Sequence, residues 1–199
     1  MKELAVKDGV IDENLLNDCI MIGAYSKTYS MMHGAGTGFS SEGTQILKSN
    51  WLLYDRDDPT DGGVGDVSRL PEPFNRLWEQ VKPHVGENTE LFKVYINAHT
   101  YGVEDNIHTD DDRIPKGKTV IVYLCNRWNP EWAGQTVFYN ERDIFEKDIV
   151  YSCLPKYNRM VIFDKSIPHA VAPMSRRYMG LRLTCMFKVE DLDGRLTVT

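Results

Sequence analysis

The chain has 199 residues, 42% of them hydrophobic and 26% charged, which suits a single domain with a real core and is too short for two full-sized ones. The formal net charge of −6 leaves no basic stripe of the kind a duplex needs, so nucleic acid is a disfavoured partner. No apolar run reaches the length of a membrane span, and the first five residues lack the apolar region of a signal peptide. The expectation is therefore a cytoplasmic protein with no membrane partner.

Residues 3–7 alternate weakly and suit a short strand. Asp12 is placed to cap a helix whose apolar positions are Leu15, Leu16, Cys19, Ile20 and Ile22. Gly34, Gly36, Gly38 and Gly43 mark a loose connection, and Trp51–Tyr54 is a short apolar run of strand type. Residues 55–65 are rich in Asp and Gly. They lack the spacing and terminal Glu of a calcium loop, so a solvated loop or a lid over a site is expected there. Pro71-Glu72-Pro73 opens a second helix with Phe74, Leu77, Trp78 and Val81 on one face, and Pro83 stops it.

From Leu91 the texture changes. Phe92, Val94 and Ile96 alternate with Lys93, Tyr95 and Asn97, and apolar runs follow at 119–124, 135–139, 149–154, 159–163, 168–172 and 178–189. Pro, Gly, Asn and Asp separate them, without helical periodicity, which predicts a sandwich or barrel of antiparallel strands. The two early helices should pack on the outer face of one sheet. The whole chain is read as one domain, with residues 1–90 as helical support and loops and 91–189 as the β core. The four cysteines form no CxxC or zinc-ribbon pattern. Cys125, Cys153 and Cys185 lie in strand-like runs and read as buried, reduced thiols.

The chemistry concentrates at Asn106-Ile107-His108-Thr109-Asp110. On an extended segment His108 and Asp110 point to the same face. With His169, which opens a late strand after Pro168, they offer two imidazoles and one carboxylate. That set leaves half an octahedron open and suits non-heme Fe(II) and oxygen chemistry. Zinc also accepts such ligands, although the helical HExxH of many zinc hydrolases is absent. An HxD is by itself a weak pattern, and His33, His84 and His99 show no ligand spacing. Asp111 and Asp112 read as solvated turn residues.

Parity along 178–189 places Met179, Leu181, Leu183, Cys185 and Phe187 toward the helices, and Arg182 and Thr184 toward the interior. A buried Arg182 calls for an anionic partner. Arg177 has the wrong parity for that role, while Arg176 has the right parity nearer the mouth. Trp128 and Trp132 flank Asn129-Pro130 and are candidates for a substrate groove, with local packing as the plainer reading.

The order Tyr101-Gly102, His108-Thr109-Asp110, residues 120–124, Trp132-Ala133-Gly134-Gln135-Thr136-Val137-Phe138, residues 154–163, His169 and Leu181-Arg182-Leu183-Thr184 resembles the 2-oxoglutarate- and Fe(II)-dependent oxygenases, in their prolyl-4-hydroxylase-like branch. The resemblance implies a mainly β fold with supporting helices, a double-stranded β-helix or jelly roll. It implies iron on His108, Asp110 and His169, with 2-oxoglutarate and O2 as co-substrates and ascorbate as a candidate reductant. The far carboxylate of 2-oxoglutarate would meet an arginine, with Arg182, Arg177 and Arg176 all in play, and the Tyr123 hydroxyl; Thr184 faces the same space. The implied reaction is hydroxylation of an unactivated C–H. A prolyl residue in a peptide or protein is the first candidate, a free amino acid or small metabolite the second, and a nucleobase the third. A non-catalytic cupin-like barrel is the alternative from another class.

Overall fold

The computed structural model describes residues 3–25, 30–33, 47–57, 66–103, 105–110, 113–141 and 143–193, and of 30–33 and 47–50 the backbone. The strands, in chain order, are β1 (Leu4–Asp8), β2 (Ser30–His33), β3 (Leu47–Asp55), β4 (Thr89–His99), β5 (Gly117–Tyr123), β6 (Thr136–Tyr139), β7 (Ile149–Cys153), β8 (Arg159–Asp164), β9 (His169–Val171) and β10 (Arg182–Asp191). They form two antiparallel sheets. The larger runs β1-β8-β5-β10-β4-β3-β2 and the smaller β7-β6-β9. This is the antiparallel β arrangement expected from the strand series, in the mainly β jelly-roll form that the resemblance implies. Three of its strands come from the first part of the chain, which contributes more to the large sheet than helices and loops.

Helix α1 (Glu13–Tyr25) starts where the Leu15 amide donates to Asp12 Oδ1 at 2.9 Å, the expected cap. It buries Leu15, Leu16, Cys19, Ile20 and Gly23. Ile22 does not join them and is 39% exposed. In the last turn the helix approaches the sheet through Gly23, where an added Cβ would already touch Leu124, Ile96 and Leu183. That approach leaves Ile22 on the flank. Helix α2 (Glu72–Val81) buries the four predicted residues, and Pro83 lies in the short 3-10 turn that follows.

Both helices cover one face of the large sheet. Val94 and Ile96 of β4, Val120 and Val122 of β5, and Leu183, Cys185, Phe187 and Val189 of β10 share a core with them. Trp78 stacks on Phe187 at 5.7 Å, and Phe74 meets Trp51 edge-on. A second core lies between the sheets, where Phe138 of β6 packs on Phe163 of β8 at 5.0 Å beside Ile121, Tyr123 and Met186. The alternation of β10 thus feeds two layers, with odd residues toward the helices and even residues toward the interior. The expected alternation begins too early. β10 starts at Arg182, and Met179 and Leu181 precede it in an irregular segment and are 84% and 38% exposed. All four cysteines are free and buried. Among the described residues no helix is long and apolar enough to cross a membrane. The glycine-marked connection at 34–43, most of the acidic loop (58–65), and Asp111 and Asp112 lie outside the described residues.

Candidate metal and co-substrate site

The site is built by a one-pair extension of strand pairing. His108 donates its amide to the carbonyl of His169 at 3.0 Å, His169 returns the bond at 2.8 Å, and the Asp110 amide donates to Lys165 O at 2.9 Å. The segment around His108 is therefore extended, and residues 108 and 110 project to the same side. The ligand atoms of His108, Asp110 and His169 all lie within 4.8 Å of one another. Nε2 of His108 is 3.9 Å from Asp110 Oδ1, and Nε2 of His169 is 3.7 Å from Oδ2.

The donor chemistry fits a divalent metal. Nδ1 of His108 is 2.8 Å from Asn106 O, and Nδ1 of His169 is 2.9 Å from Ile167 O. A carbonyl accepts only, so each Nδ1 carries the proton and each Nε2 keeps its lone pair toward the shared space. Burial pushes the His169 imidazole down to about 4, against the pull of Asp110, so it is neutral at physiological pH. Burial pushes the Asp110 carboxyl up, but Lys188, His169 and Thr119 outweigh it and hold the group well below the usual carboxylate range.

The three residues open onto a cavity of about 460 Å³, counting its mouth, which is also lined by Tyr95, Asn97, Asp105, Arg182, Thr184 and Thr136. Arg182 is buried, as its even position in β10 requires. Its Nε donates to Gly134 O at 2.7 Å and its Nη2 to Thr136 Oγ1 at 3.1 Å, and the guanidinium lies 5.4 Å from the centre of the Tyr123 ring. These contacts are to neutral groups. They fix the guanidinium and use two of its five N–H groups. Burial lowers its pKa, yet an arginine stays charged. The Gly134 carbonyl is presented by a left-handed turn (φ 73°), where a Cβ would come 2.9 Å from Met174.

Several sequence expectations shift here. Arg177 is exposed and pairs with Glu131 at 2.8 Å, outside the cavity, and Arg176 is also exposed. The turn before β10 holds both at the surface. The Tyr123 hydroxyl is 2.8 Å from Thr136 Oγ1 and donates to Cys153 O at 3.2 Å, so Tyr123 stands behind Thr136 rather than on the cavity wall. Trp128 and Trp132 pack on each other and on Tyr178, with centroids 4.7 to 5.5 Å apart, which is local packing. His84 meets Lys7. His99 is buried beside Arg182 in the β4–β10 register. The sequence reading missed Lys188, Thr119 and Asp105. For Lys188 the signal was present, since it continues the even row of Arg182, Thr184 and Met186.

Residues 92–187 match the family model described as the 2OG-Fe(II) oxygenase superfamily. The chain's β core belongs to that superfamily. Its co-substrate and metal are those of the family, 2-oxoglutarate and Fe(II). No curated protein matches the chain. Among solved structures, the oxygenase is similar to an oxidoreductase of the 2OG-Fe(II) oxygenase family from Burkholderia pseudomallei, at 12% identity and a TM-score of 0.67 over 94% of this chain and 85% of that one. It is also similar to a prolyl hydroxylase from Trichoplax adhaerens in complex with a hypoxia inducible factor peptide fragment, at 16% identity and a TM-score of 0.59 over 98% and 87%. HygX from Streptomyces hygroscopicus, with nickel and 2-oxoglutarate bound, matches at 13% identity and a TM-score of 0.61 over 95% and 83%. At these identities the likeness is one of fold.

Proposed function

We propose that this protein is a hydroxylase of an unactivated C–H bond, acting on a prolyl residue of a peptide or protein, with iron held by His108, Asp110 and His169 and 2-oxoglutarate by Arg182. The observation that carries the reading is that the three ligands and Arg182 line one cavity. Iron would supply oxygen activation coupled to decarboxylation of 2-oxoglutarate. The protein's own residues do the rest. The two carbonyls behind His108 and His169 hold the imidazoles with Nε2 inward. Arg182, braced by Gly134 and Thr136, meets the far carboxylate with a planar fork suited to a bidentate contact. Tyr123 holds the Thr136 hydroxyl in place from behind, and Thr184 and Asn97 add polar groups beside it. Ile121, Met186 and Val171 give the cavity its apolar lining, which disfavours water there.

The Trichoplax adhaerens neighbour, solved with its peptide, supports a peptide substrate. Asp105 on the cavity wall supports a second reading, a free amino acid or small metabolite whose amine would meet that carboxylate. The four buried free thiols support a cytoplasmic setting. The test is to incubate the iron-loaded protein with 2-oxoglutarate and a library of prolyl peptides and free amino acids. A product heavier by one oxygen, with matching succinate, supports the reading. Absence of succinate with every candidate opposes it.

A further inference from the structure

Lys188 is the buried cation that the proposed reaction leaves unexplained. Its side chain is 4% exposed, yet the odd residues flanking it on β10 are wholly apolar. The ammonium forms an ion pair with Asp110 Oδ1 and donates to Thr119 Oγ1 at 3.2 Å. Thr119, its register partner on β5, donates in turn to Asp110 Oδ2. Both oxygens of the carboxylate are therefore held from behind by β5 and β10. Its other cross-strand neighbour, Lys93, is turned to Asp55 at 3.3 Å. The Tyr95 ring lies 5.8 Å from the Lys188 nitrogen and closes that side. An apolar side chain would fill this place without burying a charge, so packing alone does not call for a lysine.

We propose that Lys188 is a positioning and charge-balancing residue of the metal centre, which weakens its hold on a divalent cation and strengthens its hold on the dianionic co-substrate. The inference rests on the reading of His108, Asp110 and His169 as metal ligands. The charges show why. A divalent ion together with Asp110, Arg182 and the Asp105 carboxylate on the cavity wall sums to +1, which a dicarboxylate would overcompensate. Lys188 raises that to +2 and the dianion matches it, while the same ammonium repels the incoming cation and competes for its carboxylate. Before the metal arrives, the ammonium and the Thr119 hydroxyl keep the carboxylate aimed at the two Nε2 atoms.

The test uses Mn(II), which can be followed by the loss of its free-ion paramagnetic resonance signal, and 2-oxoglutarate binding to the Mn(II)-loaded protein without turnover. Lys188→Met is expected to bind Mn(II) about tenfold more tightly and 2-oxoglutarate about tenfold more weakly. A merely structural lysine would weaken both, and that result, or no change in either, overturns the proposal. Lys188→Arg keeps the charge, so both affinities should stay within about threefold of wild type. A tenfold loss of 2-oxoglutarate binding in that variant also overturns it, even if Lys188→Met does not fold. His108→Ala is the separate control. Wild-type Mn(II) binding in His108→Ala would mean that the metal-site reading itself has failed, whatever the Lys188 variants do.

Discussion

His108 and His169 exchange both backbone hydrogen bonds across an isolated antiparallel bridge, and their rings lie 4.4 Å apart. The sheet ladder thus sets the separation of the two imidazoles, and a carbonyl two residues back sets the orientation of each. Asp110 completes the set from the same extended segment, but its surroundings differ. It is buried against Lys188, whereas His108 lies nearer the surface.

That difference separates the ligand variants. His108→Ala and Asp110→Ala should each lower 2-oxoglutarate turnover by at least about a hundredfold, measured as succinate formed. Asp110→Ala should also lose about 3–5 kcal/mol of stability in urea unfolding of the metal-free protein, because it strands a buried ammonium. His108→Ala should lose far less. Equal losses would contradict the Lys188–Asp110 pairing.

Arg182 and Arg177 give the sharpest contrast among the cations. Arg182→Ala removes the buried partner of the far carboxylate, at about 2–5 kcal/mol, and should raise the 2-oxoglutarate requirement roughly 30-fold or more. Arg177→Ala breaks an exposed pair with Glu131 and should leave that requirement unchanged, with less than about 1 kcal/mol of stability lost. Steady-state kinetics with varied 2-oxoglutarate decide it, and a large effect at Arg177 would reject the assignment.

The period-2 pattern of β10 was legible because two unlike layers read it, an apolar helix layer and a polar cavity. It placed Arg182 and Thr184 on the interior face and, carried four residues further, would have placed Lys188. It failed at Met179 and Leu181, which lie in irregular chain before the ladder begins, where alternation has no physical basis. The HxD was visible as a pattern, but its closure on His169 depends on a bridge between distant segments that no local propensity encodes. Tyr123 was placed on the right strand. Its hydroxyl goes to Thr136 and Cys153 instead of the cavity because the second sheet supplies nearer acceptors. Ile22 had the right helical phase and was displaced by the close approach of Gly23, a tertiary effect.

The β1–β8 edge carries a pH dependence. Asp8 pairs with Arg159 in register and accepts from Arg159 Nε and Nη2 at 2.8 and 2.9 Å and from Lys156 at 2.8 Å. The Arg159 hydrogen bond, reinforced by Lys156, outweighs burial and holds the Asp8 carboxyl well below the usual range. A carboxyl whose folded pKa lies below its unfolded value stabilises the fold above about pH 4, and that contribution disappears as acid protonates it. The Asp8 side chain is 37% exposed, so the screened contribution is at most about 1 kcal/mol. Asp8→Asn should therefore unfold at lower urea than wild type at pH 7, and the gap should close toward pH 2. A gap that persists in acid would exclude this pairing as its origin.

The four thiols test the two packed layers from inside. Burial pushes Cys19 up to about 12 and Cys125 up to about 11, and raises Cys153 and Cys185 as well. Cys19 and Cys185 lie in the core between the helices and the large sheet, and Cys125 and Cys153 in the core between the sheets. Alkylation requires the thiolate and access to it, and at pH 8 burial denies both. Native protein should resist iodoacetamide over a period that labels all four cysteines in urea, as read by intact mass. Fast labelling of Cys19 and Cys185 alone would show that the helix layer opens independently of the jelly roll. Fast labelling of Cys125 and Cys153 would place the opening between the sheets, beside Arg182 and the cavity.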